Sequence, residues 1–361
     1  MLRSDAVDKF FLLVYKRSMQ SNKKVLVTGA GGFIGHHMVR YLKEKGYWVR
    51  GVDIKYPEYS SPTEADEFLI LDLKEFHNCL IATTGIEQVY SFAANMGGMY
   101  FITSHDAEIM RDSSLVNIHL AESCKTNKVK RIFYSSSACI YPEYRQLDPE
   151  VFPLRESDAY PAQPDTEYGW EKLFSEHLYK SYESDHGLEV RIARYHNIYG
   201  PEGTFQGGKQ KAPADVCRQV ALAKDGDKIQ LIGDGQQTRS FCFIDDCVEG
   251  TYLLMNSDYS KPVNIGSDEL VSINELADIV SNIANKKLGK QYNLGPQGVR
   301  GRNADLTLCK KVLNWQPKYS LEEGLKKTYQ WIEQQVNPQK EKNDVDRSKK
   351  TEKESITRAY A

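Results

Sequence analysis

The chain has 361 residues, which is enough for one large core or for two lobes. Its formal net charge of −2 argues against a protein that binds nucleic acid or an anionic membrane through bulk charge. The seven cysteines are an odd number and include no zinc-type Cys-x-x-Cys pair. We therefore expect a reduced, cytoplasmic protein without a metal site, and not a disulfide-stapled one.

The two ends of the chain differ in composition from the rest. The apolar run at residues 10–15 is too short for a membrane span or a convincing signal peptide, so residues 1–21 are predicted to be an N-terminal extension. Residues 337–361 are rich in charge and poor in apolar side chains, which is typical of a disordered tail.

Apolar strand patterns alternate with helical patterns through the first half of the chain. Strands are predicted at residues 24–27, 47–52, 68–71, 88–93, 131–135 and 189–193. This alternation predicts an α/β protein with a Rossmann-type, doubly wound parallel sheet over residues 22–195.

After residue 195 the pattern changes to glycine loops and shorter elements. Strands near 229–232 and 262–265 and helices near 272–285 and 321–335 predict a smaller, interleaved α/β substrate-binding lobe over residues 196–336. The segment from about residue 240 to about residue 265 is expected to belong to the first lobe again. The cleft between the lobes is the expected site.

A glycine-rich turn joins the first strand to the first helix. Gly29, Gly32 and Gly35 allow a tight turn and a close approach of backbone N–H groups to a pyrophosphate. Asp53 ends the next strand, where a carboxylate can bind a ribose diol and repel a 2′-phosphate, so NAD is favoured over NADP. The other predicted cofactor contacts are Phe33, Ile34 and Asp72.

Tyr168 and Lys172 are four residues apart in a helical stretch, so both side chains lie on one helix face. Ser137 lies upstream, at the end of the predicted strand 131–135. A glycine loop, a serine and a Tyr-x-x-x-Lys, in that order, indicate removal of a proton and a hydride from a hydroxyl. Tyr168 would take the proton, Ser137 would hold the hydroxyl, and Lys172 would favour the phenolate. Both Tyr168 and Lys172 are also predicted to contact the cofactor.

With these motifs the sequence resembles the extended short-chain dehydrogenase/reductase family of nucleotide-sugar enzymes, over about residues 22–336. More narrowly, it is similar to the GDP-mannose 3,5-epimerases, a member group of that family. The resemblance rests on the segments 94–99, 135–142, 168–172, 195–201, 207–213, 237–241 and 298–303. It implies that bound NAD oxidises GDP-mannose at carbon 4, that carbons 3 and 5 are inverted, and that the ketone is reduced again. A homodimer is expected as well.

The resemblance also implies residue roles. Cys139 and Lys211 match the acid/base pair that inverts the two carbons. The implied substrate contacts are Gly97, Ser137, Ala138, Cys139, Asn197, Gln210, Lys211, Ala212, Gln237, Thr238, Arg239 and Arg302. Arg300 is a weaker candidate than Arg302 for the diphosphate. Gln219 replaces a lysine of the plant members, which leaves nucleotide affinity open.

Other readings stay open at this point. A GDP-fucose synthase shares a similar cysteine segment but uses NADPH, which Asp53 disfavours. A 4,6-dehydratase would carry an Asp-Glu pair where Ala138 and Cys139 stand, and a simple 4-epimerase needs neither Cys139 nor Lys211. A catalytically silent dinucleotide-binding protein would not need the set of Ser137, Tyr168 and Lys172.

Overall fold

The computed structural model describes residues 23–59 and 64–337. The predicted extension at 1–21 and the predicted tail beyond Asn337 lie outside the described residues. Within the described ranges, no helix combines the length and the apolar character that a membrane span requires.

The strands have these bounds in chain order: β1 Lys24–Thr28, β2 Trp48–Asp53, β3 Glu67–Ile70, β4 Gln88–Ser91, β5 Arg131–Ser137, β6 Glu189–Tyr195, β7 Ile198–Tyr199, β8 Lys228–Ile232, β9 Thr238–Ser240, β10 Cys242–Phe243, β11 Val263–Ile265, β12 Leu270–Ser272, β13 Gly289–Asn293 and β14 Gly301–Arg302. The helices are α1 Phe33–Glu44, α2 Phe76–Thr83, α3 Met99–Ile102, α4 Asp106–Thr126, α5 Glu167–His186, α6 Ala212–Leu222, α7 Ile244–Met255, α8 Ile273–Ile283, α9 Thr307–Leu313 and α10 Leu321–Val336.

Seven strands form the main sheet, in the order β11-β6-β5-β4-β1-β2-β3, and every neighbouring pair is parallel. The chain winds outward from β1 through β2 and β3, then returns and winds the other way through β4, β5 and β6. This is a doubly wound sheet, so the predicted α/β class is confirmed. The change of direction falls between β1 and β4, which is where such sheets bind their ligands.

Helices cover both faces of this sheet, which explains why its central strands are continuous apolar runs. On one face a core cluster includes Leu120 of α4 and Tyr179 of α5. On the other face a larger cluster joins Met38 of α1 to residues from beyond position 196, among them Leu276 and Leu325. The later part of the chain therefore shares a core with the sheet. The boundary predicted at residue 195 stays a prediction.

The later part of the chain also forms small sheets of its own. The strand β9 pairs with β12 and, in parallel, with β14, and this places Arg302 directly beside Arg239. The strand β8 pairs with β13, and β10 pairs with β7. Two basic side chains that are far apart in sequence are thus fixed next to each other by backbone pairing.

Candidate active site

The glycine loop runs from the end of β1 into α1. The Gly32 N–H donates to the Gly29 carbonyl at 3.0 Å, which closes the turn. A Cβ atom at Gly35 would lie 2.0 Å from the Gly29 carbonyl oxygen, so only glycine allows the helix to start this close to the strand. The backbone thus forms a narrow turn at a helix N-terminus, and this geometry fits the pyrophosphate of a dinucleotide.

Asp53 lies against this loop at the end of β2. Its carboxylate accepts from the Gly31 N–H at 2.9 Å and from the Ile54 N–H at 2.6 Å. Burial raises the pKa of Asp53, although these backbone hydrogen bonds act to lower it. Asp72 follows β3 and accepts from the Lys74 N–H at 3.0 Å, at the turn that leads into α2.

The strand β5 ends at Ser137 and continues into a short 3₁₀ turn over Ala138–Ile140. The Ser137 hydroxyl accepts from the Cys139 N–H at 3.1 Å, so the serine caps the turn that presents the cysteine. Helix α5 begins with Thr166 as its cap and buries Tyr168 and Lys172. The Lys172 ammonium donates to the Ser135 carbonyl at 3.0 Å and lies 5.6 Å from the centre of the Tyr168 ring. The structure therefore brings Ser137, Tyr168 and Lys172 together.

Burial acts on both ionisable side chains of this group. Burial raises the pKa of Tyr168 above its ordinary value, while a hydrogen bond with Ser137 acts to lower it. Burial also lowers the pKa of Lys172, since a charged ammonium is costly away from water. The expectation that Lys172 favours the phenolate stays a prediction, and the burial of both groups acts against it.

Cys139 differs from the other six cysteines because it is partly exposed and they are buried. Arg302 of β14 donates from Nη1 to the Cys139 sulfur at 3.1 Å, and from Nε to the Gln146 side chain at 2.5 Å. The Cys139 sulfur therefore lies beside a cationic hydrogen-bond donor and is in part open to a ligand. Burial raises the pKa of Cys247 to about 12, as is typical of an inert structural thiol.

Lys211 stands at the N-terminal boundary of α6, in a loop fixed by the segment around Gly97 and Gly98. The Gly98 N–H donates to the Lys209 carbonyl at 3.0 Å, and a Cβ at Gly98 would lie 2.4 Å from the Gln210 carbonyl oxygen. Burial lowers the pKa of Lys211, while a charge on Cys139 acts to raise it. Lys211 and Cys139 are therefore close enough to interact electrostatically.

Two arginines face the same space. Arg239 donates to the Thr238 and Val299 carbonyls at 2.7 Å each. Its pKa is lowered to about 9, first by burial and next by the charge of Arg302. Two like charges held together favour an anion between them, and a diphosphate is such an anion.

Several side chains that were predicted to contact the substrate form hydrogen bonds or ion pairs within the protein. The Thr238 hydroxyl donates to the Pro149 carbonyl at 2.5 Å, and the Asn197 amide donates to the Ser240 carbonyl at 3.0 Å. Arg300 forms a two-pronged ion pair with Asp234, with both distances near 3 Å. This pairing supports the ranking of Arg300 below Arg302. By contrast, the Gln237 Oε1 atom is buried without a hydrogen-bond partner in the described part of the chain.

Sequence reasoning missed two residues of this site. Gln146 binds Arg302, and a buried carboxylate oxygen of Asp165 lies 3.6 Å from Arg302 Nη2. Neither residue has a motif or a spacing that would have indicated it. Gln219, the departure from the plant pattern, donates to Asp215 at 2.8 Å and to the Gln230 carbonyl at 3.0 Å, and it accepts from the Gln230 N–H at 2.7 Å. It therefore links α6 to β8.

The fold and the predicted cofactor residues are those of a dinucleotide-dependent enzyme. The chain belongs to the NAD dependent epimerase/dehydratase family, whose model matches residues 25–266.

Among curated proteins, the chain is 48% identical to "GDP-mannose 3,5-epimerase" of Arabidopsis thaliana, over 89% of this chain and 85% of that protein. Among solved structures it resembles the UDP-glucose 4-epimerase of Thermotoga maritima with UDP-glucose, with a TM-score of 0.78 and 25% identity, over 87% of this chain and 99% of the other. It also resembles the UDP-glucuronic acid 4-epimerase of Bacillus cereus in complex with UDP-glucuronic acid and NAD. That match has a TM-score of 0.74 and 27% identity, over 86% of this chain and 99% of the other.

Proposed function

We propose that this protein is an NAD-dependent isomerase that converts GDP-mannose into GDP-L-galactose, with GDP-L-gulose formed by inversion at carbon 5 alone. The observation that carries the proposal is the contact of 3.1 Å between Arg302 and the Cys139 sulfur, with the half-buried Lys211 close enough to interact with Cys139 electrostatically. A 4-epimerase needs no such acid/base pair. The 48% identity to the Arabidopsis protein supports the same conclusion.

The residues present fit NAD as the cofactor. The tight turn at Gly29–Gly35 would hold the pyrophosphate, and Asp53 would bind the ribose diol, since its carboxylate already lies against the loop. When bound, NAD accepts a hydride from carbon 4 and returns it after inversion.

The protein groups at carbon 4 handle the hydroxyl proton. Tyr168 takes this proton in its phenolate form, which the nearby Lys172 ammonium is expected to favour against the effect of burial. Ser137 holds the hydroxyl oxygen in place by a hydrogen bond. Lys172 is fixed by the Ser135 carbonyl and orients the phenol from within the same helix. With the proton returned from Tyr168 at the end, the cycle leaves these three groups unchanged.

Inversion needs a base on one face of the sugar and an acid on the other. A ketone at carbon 4 makes the protons at carbons 3 and 5 acidic, because the carbanion becomes an enolate. Cys139 removes a proton and Lys211 returns one from the opposite face. Burial lowers the pKa of Lys211, and a lowered pKa makes an ammonium a better acid near neutral pH.

The diphosphate of the substrate is placed between Arg239 and Arg302. The proposal also assigns substrate contacts to Gly97, Ala138, Asn197, Gln210, Ala212, Gln237 and Thr238.

A homodimer, a cytoplasmic location and a role in ascorbate synthesis also belong to the proposal. Trp170 and Phe174 of α5 are four residues apart and are 41% and 45% exposed, so an apolar strip on this helix supports self-association. The ascorbate role rests on the family resemblance alone. Size-exclusion chromatography with light scattering would test the dimer.

Proton NMR of GDP-mannose in deuterated water, with the purified protein, tests the reaction. Deuterium is expected at carbons 3 and 5, together with signals of GDP-L-galactose. Inversion at carbon 4 alone would overturn the proposal in favour of a 4-epimerase. Turnover that consumes one NADPH for each product would favour a GDP-fucose synthase type of reaction.

Replacing Asp53 with alanine is expected to weaken NAD binding and to relax discrimination against NADP. The carboxylate that would repel a 2′-phosphate is removed, and the Gly31 N–H loses its partner. Loss of a charged hydrogen bond costs about 1.5–3 kcal/mol, or roughly 10- to 100-fold in Kd. Titration calorimetry with both cofactors measures this. Asp53→Asn keeps the shape and removes the charge, so unchanged discrimination in Asp53→Asn would contradict the assigned role.

Replacing Arg302 with methionine is expected to raise KM for GDP-mannose by roughly 10- to 100-fold, because charge-assisted hydrogen bonds to the diphosphate are lost. Alkylation of Cys139 by iodoacetamide should slow in the same variant, since the sulfur loses its cationic neighbour. Arg300→Met is the matched control, because Arg300 pairs with Asp234. Equal effects of the two substitutions on KM would contradict the ranking of the two arginines.

A further inference from the structure

Two adjacent histidines of α1 and a glutamate of the loop after β7 form a cluster that the reaction does not use. The Nε2 atoms of His36 and His37 lie 2.9 and 4.0 Å from one carboxylate oxygen of Glu202. The three ligand atoms all lie within 4.8 Å of one another. His36 and His37 are 6% and 8% exposed, so this is a built site and not a chance meeting of surface groups.

The backbone sets the tautomer of both rings. His36 Nδ1 lies 2.9 Å from the Gly32 carbonyl oxygen, and His37 Nδ1 lies 2.9 Å from the Phe33 carbonyl oxygen. A carbonyl oxygen only accepts, so each Nδ1 carries the hydrogen and donates it. Each Nε2 of a neutral ring therefore presents a lone pair toward Glu202. Histidine ligands of metals are oriented in this way, by a backbone carbonyl on the other ring nitrogen.

The distance between His36 and Glu202 requires a positive centre between the two atoms. A neutral His36 would place a lone pair 2.9 Å from a carboxylate oxygen, which is repulsive unless a proton or a metal ion lies between them.

We propose that His36, His37 and Glu202 bind a divalent transition-metal ion of the zinc type, between helix α1 and the loop after β7. Two imidazoles and one carboxylate are a donor set that zinc and similar ions accept, whereas calcium and magnesium prefer oxygen alone. With metal–ligand bonds of about 2.0–2.1 Å, a tetrahedral ion separates its ligands by roughly 3.3 Å. Shifts of less than about 1 Å would bring the present spacings of 2.9 and 4.0 Å to that value.

The bound ion would link the start of α1 to the loop after β7. The backbone of Glu202 has a positive φ of 62°, which is uncommon for a residue other than glycine. Its carboxylate lies toward helix α1. The neighbouring Gly200 and Gly203 would each touch the Phe33 ring through an added Cβ, at 3.4 Å. The site is thus one turn beyond the glycine loop, and its occupation is expected to stiffen that loop.

A substitution of Arg40 distinguishes an effect on metal binding from damage to the fold. Its guanidinium donates to the same Glu202 oxygen at 3.0 Å and competes with a metal for it. Removal of the guanidinium in Arg40→Met should therefore strengthen metal binding. A substitution that only damaged the fold would weaken it.

The test uses the full chain loaded with NAD, freed of metals by a chelator, and titrated with Co(II) and Zn(II). We expect one equivalent bound, with the visible spectrum of four-coordinate Co(II) and a raised melting temperature with Zn(II). His36→Gln and Glu202→Gln should each weaken Kd at least tenfold, and Arg40→Met should strengthen it severalfold. His177→Gln is the matched control, since His177 binds the Tyr160 hydroxyl on the exposed face of α5.

Three results would overturn the proposal. The first is the absence of one-equivalent binding in the unmodified protein. The second is binding that His36→Gln and Glu202→Gln leave unchanged. The third is a sulfur-to-cobalt absorption band that disappears in Cys139→Ser, which would place the ion at the reaction site. None of these readouts depends on turnover of GDP-mannose, so failure here is distinct from failure of the proposed reaction.

Discussion

Cys139→Ala is expected to abolish inversion at carbons 3 and 5 while oxidation at carbon 4 continues. The substitution removes the sulfur that Arg302 contacts at 3.1 Å and leaves Ser137, Tyr168 and Lys172 in place. Loss of a general base costs roughly 10²–10⁴-fold in rate. The measurement is transient NADH absorbance on adding GDP-mannose, together with deuterium uptake followed by NMR. The variant should show the absorbance and incorporate no deuterium at either carbon.

Lys211→Ala is the matched comparison. If Cys139 removes the proton and Lys211 returns one, this variant should still exchange deuterium while forming little epimer. Normal amounts of GDP-L-galactose from Cys139→Ala would make Cys139 a structural thiol. His196 could not then replace it as an effective base, because burial lowers the pKa of His196 to about 3 and its Nε2 is engaged with Asn264.

Tyr168→Phe is expected to abolish both epimerisations together, because both need the ketone at carbon 4. Phenylalanine keeps the buried ring in its cluster with Ile102 and Ile109 and removes only the hydroxyl. A loss of roughly 10²–10⁴-fold is expected for kcat. Transient NADH absorbance and deuterium uptake should both disappear, which distinguishes this variant from Cys139→Ala. Near-normal turnover would contradict the role of Tyr168.

The elements and the cofactor loop could be predicted from the sequence because their determinants are local. The glycine loop, the strand that ends at Asp53 and the helical spacing of Tyr168 and Lys172 each lie within a short stretch of chain. The structure places β1, β2 and α5 where those patterns predicted them. The α/β class followed from the alternation of such local patterns.

The environment of Cys139 could not be predicted in the same way. Arg302 is 163 residues from Cys139 and meets it only because β14 pairs with β9. Asp165 and Gln146 join the site through similarly long-range packing, without a motif of their own. The raised pKa of Tyr168 depends on burial, which a spacing does not reveal. The sequence therefore indicated candidate reacting groups, but neither their burial nor the distant residues that surround them.

The late position of β14 in the chain has a consequence for biosynthesis. Proteins emerge from the ribosome N-terminus first, and their parts begin to assemble in that order. The strands of the main sheet are complete once Ile265 has emerged, whereas the partner of the Cys139 sulfur arrives only with Arg302. A growing chain can thus possess every strand of the dinucleotide-binding sheet before its reactive cysteine has a cationic neighbour. The order of translation delays completion of the sugar-handling site until after that of the sheet beneath it.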